Sequence, residues 1–247
     1  MKTAPVITAF VAVSVMVVGS LEARAAVAPP ACMVSLQPSA PSPQLAGERM
    51  TWTATAANCG AAPVYQFAVD AGVEDRDHGG WERERGRQRF AIVRDFSLDA
   101  SFKWAPMEEG RYEIKVEVKD GFDAVTATSA VVSYDVNSRV TGDDAVISPT
   151  LNPLVALYSA PPCRHGDIRV RFRPAGGPAH AEWTSTNALP CERGQSRNFV
   201  VAGMLANTTY EMVHRGGDDD DATPLLFTTG TPPATLSIPA FTLTLIS

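Results

Sequence analysis

What the sequence has little of narrows it first. Charge is scarce: 19% of the 247 residues are Asp, Glu, Lys or Arg, and 27 acids against 21 bases leave a formal net charge of −6. Nothing in that balance attracts a polyphosphate, so nucleic acid is not an expected partner. There is no H-E-x-x-H and no G-x-S-x-G, which removes the helical zinc-protease pattern and the nucleophile elbow. There is no C-x-x-C either, so the four cysteines lack the short paired spacing of a structural zinc site. The four histidines, His78, His165, His180 and His214, stand in separate segments with no spacing that converges two of them, and they read as surface or loop residues. After the N-terminal segment no long stretch has helical periodicity. No cofactor and no catalytic residue is expected.

What is present begins with an export signal. Lys2, an apolar run over 6–19 broken only by Thr8 and Ser14, and the small-x-small Ala23-Arg24-Ala25 read as a signal peptide over 1–25. The run is shorter than the about 20 apolar residues of a spanning helix, and Pro29 stands where a lipid-attachment motif before Cys32 would want Leu. The expectation is a secreted or periplasmic protein with no membrane contact after cleavage. Cysteine usage agrees. Cys32 and Cys59 are 27 residues apart, Cys163 and Cys191 are 28 apart, and 104 residues separate the two pairs. Local bridges Cys32–Cys59 and Cys163–Cys191 would then staple each half of the chain.

The dominant pattern is alternation with period two. Met50, Trp52, Ala54 and Ala56 oppose Thr51, Thr53 and Thr55; Tyr112, Ile114, Val116 and Val118 oppose Glu113, Lys115, Glu117 and Lys119. Both read as half-buried strands. Asp120-Gly121 signals a turn into a partner strand over 124–136. Further strands are expected at 33–37, 64–69, 89–94 and 101–104, with Trp52 and Trp104 as core residues. About seven strands over 26–138 have the size and rhythm of an immunoglobulin-like sandwich. Glu109-Gly110-Arg111-Tyr112 resembles the corner that opens its strand F, with Tyr112 as the corner tyrosine and Ile114 where an antibody domain has its second cysteine. A polar linker is expected over 139–150.

A second sandwich is expected over 151–231. Ile168, Val170 and Phe172 alternate with Arg169, Arg171 and Arg173. Met204-x-Ala206-x-Thr208-x-Tyr210 resembles the L-x-P-x-T-x-Y signature of fibronectin type III modules, with Met for Leu, Ala for Pro, and Tyr210 as the corner tyrosine. The fold class is therefore all-β, with two consecutive β-sandwiches. Residues 232–247 read as a linker and one more apolar strand, Phe241-Thr242-Leu243-Thr244-Leu245-Ile246-Ser247, whose free edge predicts self-association or pairing with a partner protein.

Few residues invite chemistry. Trp81 lies among ten charged residues over 74–89, five of each sign; it is either a stacking platform for a glycan or an aromatic folded onto the sandwich from a solvated loop. Trp183 is a second candidate ligand contact. Asp218, Asp219, Asp220 and Asp221 offer hard oxygen ligands for Ca²⁺, but adjacent carboxylates point in different directions and the EF-hand pattern is missing, so a solvated hairpin loop is the expected reading. Asn207-Thr208-Thr209 matches a glycosylation sequon inside the corner motif.

Several stretches together resemble a particular family. They are Arg94-Asp95-Phe96-Ser97, Phe102-Lys103-Trp104-Ala105-Pro106, Glu109-Gly110-Arg111-Tyr112, the run Pro149-Thr150-Leu151-Asn152-Pro153-Leu154-Val155-Ala156-Leu157-Tyr158-Ser159-Ala160-Pro161-Pro162-Cys163, Arg169-Val170-Arg171-Phe172, and Asn198-Phe199-Val200-Val201-Ala202-Gly203-Met204. They are similar to the region that precedes the catalytic β-propeller in bacterial arylsulfotransferase-type proteins, over about 31–238. The resemblance implies a non-catalytic accessory region that packs on a propeller or dimerises, with the sulfate-carrying histidine outside this chain. A free-standing adhesion or glycan-binding module is the alternative expectation, and an enzyme in its own right a third that the missing motifs oppose.

Overall fold

The computed structural model describes residues 30–72, 90–120, 127–177, 182–217 and 222–232. The expected signal peptide, Trp81, His78, His180, the four aspartates 218–221 and the C-terminal strand lie outside the described residues. Among the described residues the fold is all-β, with four sheets forming two consecutive sandwiches within one compact unit, Ala31–Ser247.

The first sandwich is built from β1 (Met33–Pro38), β2 (Gln44–Leu45), β3 (Met50–Ala57), β4 (Pro63–Asp70), β5 (Ala91–Ser97), β6 (Ser101–Trp104), β7 (Gly110–Asp120), β8 (Ala127–Thr128) and β9 (Val132–Asn137). One sheet has the order β1-β3-β6; the other has β2-β9-β7-β4-β5, with β8 also on β7. In immunoglobulin lettering these are A-B-E facing G-F-C-C′, with the short β2 running parallel to β9. The period-two alternation of the sequence becomes the inward face: Met50, Trp52 and Ala54 on β3 and Tyr112, Ile114, Val116 and Val118 on β7 are buried in one cluster. Trp52 meets Tyr134 edge to face at 5.3 Å, and Trp104 meets Tyr112 at 4.8 Å. Each fully buried aliphatic side chain contributes about 1.5–3 kcal/mol. Ile114, fully buried, replaces the inter-sheet cysteine of antibody domains with apolar packing. The Cys32–Cys59 bridge instead closes one end of the β1–β3 pair, joining the start of β1 to the end of β3 within one sheet.

Two first-sandwich strands depart from expectation. The partner of β7 is not continuous over 124–136. Between the Glu117↔Thr128 and Ile114↔Val132 pairs, two residues of β7 face three of the partner, which is a bulge. Ser129 fills it: its N–H donates to the Val116 carbonyl at 2.9 Å and its hydroxyl accepts from the Val116 N–H at 3.0 Å. The strand expected at 89–94 lies later, at β5, where Ala91, Ile92 and Val93 are all exposed at the edge of the sheet and so hide the alternation.

The second sandwich comprises β10 (Val146–Pro149), β11 (Ala156–Ala160), β12 (Asp167–Pro174), β13 (Thr184–Ser185), β14 (Leu189–Pro190), β15 (Arg197–Val201), β16 (Thr209–Gly216) and β17 (Leu225–Thr228). Its sheets are β10-β11-β15 and β13-β12-β16-β17, with β14 also on β12. That is A-B-E facing C′-C-F-G, the strand distribution of a fibronectin type III module. Ile168, Val170 and Phe172 pack inward with Tyr158, Phe199, Val201 and Met212. The expected linker over 139–150 is shortened, because Val146–Pro149 already pairs with β11. Its residues escape the alternation test because all are half-exposed or exposed.

The Cys163–Cys191 bridge links the segment after β11 to the segment after β14, across the two sheets. Gly217 lies against it with φ +69°, where an added Cβ would stand 2.9 Å from the Cys163 Cβ and 3.0 Å from the Cys191 Sγ. Replacing Cys163 and Cys191 together by Ala should lower unfolding free energy by roughly 3–4 kcal/mol, from the closure entropy of a 28-residue loop. A urea melt checks this, and Gly217→Ala should weaken the same domain.

Candidate functional site

The two corner tyrosines fix the loops from which the site is built. Tyr112, at the start of β7, donates its hydroxyl to the Glu108 carbonyl at 2.8 Å. Burial, and next the neighbouring Glu108 charge, push its phenol up to about 12. Tyr210, at the start of β16, accepts at its hydroxyl from the Leu205 N–H at 2.8 Å. In the same corner Asn207 adopts φ +51°, and its side-chain oxygen accepts from the Thr231 hydroxyl at 2.8 Å. The sequon thus coincides with a turn that uses the asparagine structurally.

The loop just before Tyr112 reaches the second sandwich. Both oxygens of Glu109 are met there: one accepts from the Ser196 N–H at 3.1 Å, the other from the Ser196 hydroxyl at 2.7 Å. Asn198 donates to the Met107 carbonyl at 2.7 Å and accepts from Ser159 at 2.5 Å. Ser138, where the chain leaves the first sandwich, donates to the Ser196 hydroxyl at 3.0 Å. Arg139 bridges the same way, donating to the Ala46 carbonyl at 2.5 Å and the Ser148 hydroxyl at 3.2 Å, and pairing with Glu48 at 2.6 Å. Leu157 occupies the space that a Cβ on Gly47 would need. This contact explains why all five residues of β11 are buried: its inward side chains fill the core and its outward ones face the first sandwich.

A cleft of about 380 Å³ opens beside this seam, between Met107 and Glu108 on one side and Thr186, Asn187 and Val200 on the other. Arg197 lines it with a side chain 5% exposed, 3.0 Å from Glu192 and 4.0 Å from Glu108. One guanidinium flanked by two carboxylates leaves the cleft no excess positive charge.

The outward face of the β13-β12-β16-β17 sheet is different. Arg169, Arg171 and Arg173 project from β12 because their neighbours Ile168, Val170 and Phe172 are buried inward. Trp183, half-buried, is stacked by these arginines: the Arg173 guanidinium lies 4.4 Å and the Arg171 guanidinium 5.4 Å from its ring centre. Arg215 of β16 stands directly opposite Arg169.

Of the histidines, His165 is exposed. His214 is not a surface residue: it is buried on β16, its Nδ1 2.9 Å from the Tyr158 hydroxyl. The sequence hides this because Met212, Val213 and His214 are buried consecutively, which breaks the period-two pattern. Among the described residues no group of three or more His, Cys, Asp or Glu comes together, and no helix is long and apolar enough to cross a membrane. Sequence reasoning missed the seam: Glu109 and Asn198 fall in stretches that signal a corner and a family rather than a contact, Ser138 and Ser196 carry no motif, and only the packing of the two sandwiches brings them together.

No family model and no curated protein matches this chain. Among solved structures, it is similar to the crystal structure of the selenomethionine-substituted interferon gamma receptor alpha chain of chicken. The identity is 10%, over 83% of this chain and 100% of that one, with a TM-score of 0.26. At that similarity the comparison carries no functional argument, and the all-β class rests on the strands themselves.

The corner gives a pH prediction. A phenol raised above its ordinary value is stabilised in its neutral form by folding, so its contribution is complete below about pH 10 and is lost as pH rises through about 12. An absorbance titration of phenolate in the folded chain should show a tyrosine step delayed to about pH 12, and that step should be missing in Tyr112→Phe. This variant leaves the Glu108 carbonyl without its donor and should cost roughly 1–3 kcal/mol.

Proposed function

We propose that this chain is a non-catalytic tandem β-sandwich module of an exported protein, which holds a fixed surface toward a partner. The observation that carries the reading is the seam. Two sandwiches on a flexible tether would not hold Ser196 on Glu109, Asn198 on the Met107 carbonyl and Arg139 on both Ala46 and Ser148. A set of such bonds, each contributing about 0.5–1.5 kcal/mol net, fixes the angle between the sandwiches. Two disulfides and the N-terminal signal pattern support the oxidising, extracytoplasmic setting.

The resemblance to the pre-propeller region of arylsulfotransferase-type proteins gives that partner a class, a sulfate-transferring β-propeller, with the apolar segment 241–247 as an additional point of pairing. The second reading, a free-standing adhesion or glycan-binding module, is favoured by the arginine face around Trp183.

Two measurements test the module reading. Small-angle scattering of the full chain should fit one narrow distribution of inter-sandwich distances, and Glu109→Ala with Asn198→Ala should broaden it while both sandwiches stay folded. A wild-type chain as broad as the double variant would overturn the fixed elbow. Incubation with an aryl sulfate donor and a phenol acceptor should give no transfer; turnover by the purified chain would overturn the non-catalytic assignment.

A further inference from the structure

The outward face of the β13-β12-β16-β17 sheet concentrates positive charge in a chain whose net charge is −6. On β12 and β16 that face carries Arg169, Arg171, Arg173 and Arg215 against two acids, Asp167 and Glu211. Glu211 is already taken by the Arg173 Nε at 3.1 Å. Neither Arg169 nor Arg171 makes an ion pair among the described residues. From this we infer that the face binds an acidic polysaccharide, with Arg169 and Arg215 as the contacting groups and Trp183 as the post that orients Arg171 and Arg173.

Three observations lead there. First, Arg169 and Arg215 are direct cross-strand partners, and like charges so placed are destabilising. Arg215 is held in that position by the carbonyls of His214 and Ala222, at 3.3 and 3.1 Å. A sulfate or carboxylate laid across the pair turns that repulsion into two attractions, and the planar guanidinium forks suit either oxyanion. Second, the arginines of β12 recur every second residue, a step of about 6.6 Å along a strand. Among the described residues they lie on an open sheet face, so the matching ligand carries repeated anionic groups along a chain. Third, the Trp183 ring is already engaged by two guanidinium groups, which compete with a base for it. Single-stranded nucleic acid depends on such stacking, whereas an acidic glycan is met by charge and hydrogen bonds alone.

The test is retention of the full chain on immobilised heparin (sulfate groups) and polygalacturonate (carboxylate groups), beside oligo-dT, across a salt series. The variants are Arg169→Glu alone and Arg169→Glu with Arg215→Glu; the control is Lys103→Glu, an exposed residue of the first sandwich, charge-matched to the single variant. Expected is binding of the wild type to one or both polysaccharides, about tenfold or greater loss in the double arginine variant, and a flatter salt dependence. Lys103→Glu should stay close to wild type. Thermal unfolding of the single variant Arg169→Glu should be unchanged or raised, since it replaces a repulsive pair by an attractive one, and its binding should still fall. The polysaccharide retained shows which oxyanion is read. The inference is overturned if the wild type is not retained at physiological ionic strength, if Lys103→Glu loses as much as the arginine variants, or if oligo-dT binds more tightly than either polysaccharide.

Discussion

A carboxylate withdrawn from water is costly unless its oxygens are met by donors, and Glu109 is met on both oxygens by one residue of the neighbouring sandwich, Ser196. The residues beside it are committed as well. The Met107 carbonyl accepts from Asn198, and the Glu108 carbonyl accepts from the corner tyrosine of its own domain. The segment 107–109 therefore ties strand F of the first sandwich to strand E of the second. Displacing it would undo the Tyr112 corner and the seam together. The burial of both faces of β11 and the path of the chain through Ser138 and Arg139 follow from the same contact.

The two sandwiches use one topological idea with different fastenings. In the first, the central strands carry the load: Trp52, Ile114 and Tyr134 fill the interior, and the disulfide is peripheral, holding one end of a strand pair. In the second, with its shorter strands, the disulfide crosses between the two sheets and is packed by Gly217. A smaller domain buries a smaller fraction of its surface, so a cross-sheet staple has more to do there.

The parts of the fold legible in the sequence were those where one face is wet. β3, β7 and β12 alternate cleanly because solvent meets every second residue, and both corner tyrosines stand out because a Gly or Thr before a tyrosine at a strand start serves a turn. The bulge at Ser129 was illegible, since one extra residue has no composition signal. So was β11: Ala-Leu-Tyr-Ser-Ala has no alternation when both faces are covered. His214 misled for the same reason, because its neighbours Met212 and Val213 are both buried and only the register places its ring beside Tyr158.

Charge shows most clearly the limit of composition. A net charge of −6 opposes anionic partners when it is treated as a property of the whole chain. Strand geometry redistributes it. With period two, the hydrophobic positions of β12 send three arginines to one side, and antiparallel pairing sets a fourth, Arg215, across from the first. The side chain that makes this arrangement tolerable is Trp183, whose ring electrons face two of the guanidinium groups without neutralising them. Trp183, in the sequence a candidate ligand contact, is engaged with these cations, and in the proposed recognition the contacts to the ligand are made by the arginines. On such a face affinity depends on local field and on salt far more than on the sign of the whole protein.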